Sequence, residues 1–204
     1  MGMLASLKRL FAPQPIAELV ALQHFLESRA AYLVQKSITE YSQARAGVLF
    51  STLMREPIYI EGYERARWLS YPAAISMVTE MAEGSLRERS GSAPGALDRG
   101  LLKLVDAILA QYPSPSGLGE DFWREAADRV TRDLAQAALG PPRVVQKIPM
   151  IRSKEIYDVL PVNEHLKRLD FQMFRNTIRF HLTELKVEFE ERSEPARLAA
   201  SLAA

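Results

Sequence analysis

Residues 16–46 contain neither proline nor glycine, and this uninterrupted run constrains the fold more than any other feature. From Ile16 on, Leu19, Leu22, Leu26, Ala30, Leu33, Tyr41, Ala44 and Val48 recur at helical spacing on one face, with Glu18, Arg29, Lys36 and Glu40 elsewhere on the wheel. Gly47 is the first residue to interrupt the pattern, and Pro57 forbids a helix much past Arg55. A helix of about 35 residues spans about 50 Å, longer than a small domain needs. The run therefore predicts either an elongated bundle or a break near residues 37–41.

Helical periodicity continues beyond it. Trp68, Tyr71, Ile75, Val78 and Ala82 predict a second helix over 61–89, with a kink at Pro72. A linker at 90–95 leads to a third helix over 96–111, and the proline-rich stretch 112–117 leads to a fourth over 119–139. Residues 143–160 are the least helical and predict an extended arm or a short edge strand broken by Pro149. A last helix starts near Pro161 and carries a seam of Phe171, Phe174, Ile178, Leu182, Leu185 and Phe189. Such a stripe needs cover, either from the first helix or from the same helix of a second subunit. The expected architecture is all-α: an elongated bundle of about five helices in one domain, residues 14–194. A short amphipathic segment (1–13) precedes the domain, and a small, polar tail that frays (195–204) follows it.

Composition removes several function classes. The chain has no cysteine, which excludes a disulfide scaffold, a cysteine nucleophile and a thiolate metal site. Only His24, His165 and His181 are available as imidazole ligands; His181 and Glu184 lie one turn apart but lack a second pair at helical spacing. No phosphate-cradling loop, dinucleotide fingerprint or nucleophile elbow occurs, so no catalytic, cofactor-binding or metal residue is assigned and no cofactor is expected. With 26 basic and 25 acidic side chains, the balance argues against nucleic acid. Region 143–181 is locally basic, with Arg168, Arg175 and Arg179 near Phe171 and Phe174, but the acids from Glu184 onward break any single phosphate-tracking face. Those arginines predict a solvated flank that pairs with Asp128 or Asp133.

Two stretches could bind something. Leu4, Leu7, Leu10 and Phe11 share a face beside Lys8 and Arg9, so residues 3–11 could make weak peripheral membrane contact. No window is apolar enough to span a bilayer, and the expected location is the cytoplasm. The second stretch holds Tyr59, Tyr63, Arg65, Arg67, Trp68 and Tyr71, side chains enriched in binding hot spots. It reads either as an interaction surface or as aromatics lining the core at the Pro72 kink.

Residues 29–41, Arg-Ala-Ala-Tyr-Leu-Val-Gln-Lys-Ser-Ile-Thr-Glu-Tyr, and 64–71, Glu-Arg-Ala-Arg-Trp-Leu-Ser-Tyr, resemble a family of alphaproteobacterial proteins of unknown function. The likeness covers residues 15–90. It implies a wholly helical fold in a bacterial cytoplasm, and some members carry the label esterase. It also implies a polar strip of Arg29, Tyr32, Lys36 and Tyr41 along the first helix. The functional expectation is a non-enzymatic interaction or scaffold protein that self-associates or docks on a helical partner. One alternative is a small-molecule binder or esterase-like hydrolase with a pocket near Pro72; the other is a membrane-peripheral protein.

Overall fold

One helix organises the molecule. The computed structural model describes residues 14–167 and 170–204, and within them the chain is all-α. The seven helices of eight or more described residues are α1 (Leu19–Ala46), α2 (Pro57–Ser90), α3 (Asp98–Leu109), α4 (Phe122–Ala137), α5 (Pro149–Asp158), α6 (Phe171–Arg192) and α7 (Pro195–Ala203). Of these α2 touches all six others. Every residue from 70 to 87 is buried, whichever side of the helix it faces. The sequence allows this because Ala73, Ala74, Ser76, Thr79, Ala82, Gly84 and Ser85 are small enough for neighbours to approach from all directions. A Cβ on Gly84 would already lie 3.4 Å from Pro142.

Of the two alternatives for the long run, the break near residues 37–41 is not there: 28 residues run unbroken, with Ser37 and Tyr41 buried within the helix. The inward face predicted for α1 ends at Tyr41, since Val48 is 93% exposed beyond the helix. Pro72 likewise sits inside a continuous α2, so no new helix begins there. Two other expectations need correction. Residues 143–160 form neither arm nor strand; a turn at Val145–Lys147 leads into α5, which starts at Pro149, where a missing N–H costs no helical bond. Ile156 and Tyr157 of α5 are buried, and this burial holds a helix too short to persist alone. The tail does not fray: Pro195 opens α7, and Leu198 and Leu202 are buried against the bundle. The docking of α7 runs through Gly100 of α3, where an added Cβ would stand only 2.4 Å from the Leu202 carbonyl oxygen. Only glycine permits that backbone approach. These two segments raise the count from about five helices to seven.

The aromatic seam on α6 is internal. Phe174, Ile178, Leu182, Leu185 and Phe189 are buried and Phe171 is half-buried. Its cover is shared among α1, α2, α5 and the turn at Val145–Lys147. Phe189 meets Phe25 of α1 at 5.1 Å between ring centres, and Phe174 meets Tyr41 at 5.5 Å and Tyr157 of α5 at 5.4 Å. A second subunit is not needed to bury it. The two ends of the described domain are tied by a parallel bridge, with the Ile16 N–H donating to the Arg192 carbonyl at 2.8 Å and the Glu194 N–H to the Ile16 carbonyl at 3.0 Å. Segment 3–11, read as a membrane contact, lies outside the described residues, as does Arg168. No helix among the described residues is long and apolar enough to cross a membrane.

Candidate functional site: an aromatic cavity on the central helix

The first third of α2 behaves unlike the rest. Its residues emerge from the bundle, so the aromatic and charged side chains of 58–69 meet solvent on one side and α1 or α3 on the other. Glu61, Arg65 and Trp68 stand four and three residues apart, as do Glu64, Trp68 and Tyr71 (four and three), and such spacings share a helix face. After α3, Tyr112-Pro-Ser-Pro-Ser removes two backbone donors and ends the helix. Gly117, at φ +74°, lets the loop turn back close to Arg65: a Cβ there would sit 3.8 Å from its Nη1. The Trp123 indole N–H at the start of α4 donates to the Pro113 carbonyl at 3.1 Å and holds the loop against α4.

This chain reversal assembles four rings. Trp68 contacts Tyr112 and Trp123 with centroids 5.8 and 5.9 Å apart, and Tyr71 contacts the same two at 6.2 and 6.1 Å, all edge-to-face. Both tryptophans of the chain are in this cluster. Beside it lies a cavity of about 160 Å³, lined by Ala31, Val34, Glu64, Arg67, Trp68, Tyr71 and Tyr112. An open cleft of about 680 Å³ adjoins it; Glu61, Arg65, Pro113, Pro115 and Leu118 line this cleft, and it shares Glu64, Trp68 and Tyr112 with the cavity. Trp68 thus lines both spaces.

The polar groups divide into paired and unpaired. Arg67 donates to both carboxylate oxygens of Glu64 at 2.9 Å, so their charges cancel. The Tyr112 hydroxyl donates to Glu27. Burial raises the Tyr112 phenol to about 12, with the Glu27 bond adding to the effect, so it remains a donor at neutral pH. Tyr71 is 7% exposed, and burial pushes its phenol up further; its hydroxyl has no hydrogen-bond partner among the described residues. Glu61 and Arg65 make no ion pair or hydrogen bond with any described residue.

The structure therefore divides the stretch read as a hot spot. Trp68, Tyr71, Arg65 and Arg67 converge on the cavity and its cleft. Tyr63 turns inward and shares a 2.5 Å hydrogen bond with Thr39 of α1, and Tyr59 packs half-buried against the core. Trp68 itself is half-buried rather than enclosed. Glu27, Ala31, Val34, Tyr112 and Trp123 were not anticipated. Their one visible signal was that the second tryptophan stands eleven residues after a tyrosine that ends a helix.

Other polar clusters are paired within the bundle. The strip expected on α1 does not hold together: Arg29 pairs with Glu188 at 2.5 Å and Lys36 with Glu40 at 3.0 Å, while Tyr41 turns into the core. His181 is buried between Glu40, at 2.7 Å, and Glu184, at 3.3 Å. Burial raises the Glu40 carboxyl, but hydrogen bonds from His181 and Lys36 outweigh it and hold the group below its ordinary value. Among the described residues no group of three or more acids and histidines could hold a metal ion. Asp133 pairs with Arg152, not with the arginines of α6. The Ser76 hydroxyl donates to Asp133, and Arg152 donates to both oxygens of the same carboxylate. No protein-family model matches the chain, and comparison with curated proteins and with solved structures finds no match either.

Proposed function

We propose that the chain is a non-enzymatic binding protein whose ligand site is the cavity formed by Trp68, Tyr71 and Tyr112. The observation that carries this is the cavity itself. About 160 Å³ bordered by three aromatic rings and two aliphatic side chains, and partly open to solvent, is close in size to an apolar site that takes up benzene, about 150 Å³. Its few polar groups are the donors and charges that orient a ligand in such sites. No serine there is coupled to a base, so retention rather than turnover fits the chemistry. Titration with toluene and with phenol, followed by tryptophan fluorescence, should give saturable changes. Ala31→Trp, an exposed substitution at the cavity wall, should abolish them without unfolding the protein. An unresponsive wild-type spectrum across both titrations would sink the proposal.

A second proposal, self-association, is supported by the outer face of α6. Met173, Phe180 and Val187 are 47, 60 and 50% exposed and repeat every seven residues. The stripe is symmetric about Phe180, so a two-fold axis would set Phe180 on its mate and Met173 on Val187. Light scattering should show a dimer in the wild type and a monomer for Phe180→Asp. A wild-type monomer at high concentration would overturn it.

A further inference from the structure

The cavity by itself selects for size and apolarity, but the cleft beyond Trp68 adds a charge pattern. Glu61 and Arg65 stand in the orientation most favourable for an i,i+4 ion pair, acid before base, yet they do not pair. Both line the cleft, and both charges remain available within it. The nearer pair, Glu64 and Arg67, is already satisfied and contributes little net charge. One free anion and one free cation, adjacent along a helix, match a ligand that carries one of each.

The axial spacing sets the shape of that ligand. At about 1.5 Å rise per residue, Glu61 and Arg65 are about 6 Å apart along α2, and Trp68 lies about 4.5 Å beyond Arg65. A molecule lying along the helix would thus place two opposite charges at the cleft and, one short linker away, a ring in the cavity. Tyr71, with its buried unpartnered hydroxyl, also lines that cavity. We infer that the site takes a free aromatic α-amino acid with one six-membered ring. Its ammonium lies against Glu61, its carboxylate against Arg65, and its ring beside Trp68, Tyr71 and Tyr112. This rests on the cavity being a ligand site, as proposed above. Tryptophan-sized rings are disfavoured, because a chamber of about 160 Å³ holds a single ring with little to spare.

The test uses the full chain and calorimetric titration with L-phenylalanine. Its comparators are phenethylamine, 3-phenylpropionate, the neutral N-acetylphenylalanine amide and toluene. Phenylalanine should bind best, and removal of either charge from the ligand should weaken it about five- to tenfold. Arg65→Gln should reduce phenylalanine to the level of phenethylamine, and Glu61→Gln to that of phenylpropionate. Both residues are exposed, so the variants should keep the wild-type circular dichroism. Equal binding of phenylalanine and its neutral amide, or an unchanged affinity in Arg65→Gln, overturns the inference while leaving the cavity proposal standing. If toluene too fails to bind, both fall together.

Discussion

The two parts of α2 show how differently one helix can use charge and aromaticity. Residues 70–87 are enclosed, and their charged groups serve the fold. The Arg87 guanidinium donates to the carbonyls of Gly140 at 2.9 Å and Ala137 at 3.3 Å, which satisfies the open C-terminus of α4. Glu83 balances Arg87 at 2.9 Å, and Arg143 reaches Glu80 at 2.7 Å. Residues 57–69 are half-exposed, and there Glu61 and Arg65 have no structural partner while Trp68 borders open space. Charged groups in the enclosed part are committed to neighbours, and charges left free beside a cavity are available to a ligand.

The sharpest way to break this contrast is one substitution made twice. Ile75→Glu places a carboxylate where the native side chain is fully buried and should cost more than about 4 kcal/mol, enough to unfold the chain. Ile58→Glu, at a position 88% exposed on the same helix, should stay within about 0.5 kcal/mol of wild type. Comparable melting temperatures for the two variants would show that the halves do not differ.

Glu80 sharpens the comparison through pH. Burial pushes its carboxyl from 4.5 up to about 7; Arg143 and Arg152 pull it down, while Asp133 and Glu83 push it up. The folded state therefore holds this proton more tightly than the unfolded chain. The stability it contributes is fully present below about pH 4.5 and is lost as pH rises through about 7. The span amounts to about 3 kcal/mol. Denaturant titrations should show Glu80→Gln with a flatter stability profile than wild type between those pH values. Parallel profiles would mean that Glu80 ionises freely.

The smallest effect belongs to the exposed part. Trp68 is half-buried and packs edge-on against Tyr112 and Trp123, so Trp68→Ala should cost about 1–2 kcal/mol, below the range of about 3–5 for enclosed aromatics. Toluene binding should vanish in the same variant. A loss above about 3 kcal/mol would place Trp68 with the core and weaken the case for a ligand site.

What the sequence by itself determined is the set of long helices and the inward seam of α6. Their apolar residues repeat at the helical period over many turns, and burial of such a stripe dominates any local preference. Trp68, Tyr71, Arg65 and Arg67 were legible for a similar reason: they lie within one short stretch of one helix. Tertiary structure alone decided the rest. Residues 149–158 and 195–203 are too short to hold a helix unaided and become helical because Ile156, Tyr157, Leu198 and Leu202 find a bundle to pack against. Tyr112 lines the cavity, with Trp123 and Glu27 against it, only because the 113–119 loop reverses the chain and α1 lies alongside α2, contacts between residues 41 to 85 positions apart. Local periodicity carries no information about such meetings. They follow from which faces the burial of α2 leaves for its neighbours to cover.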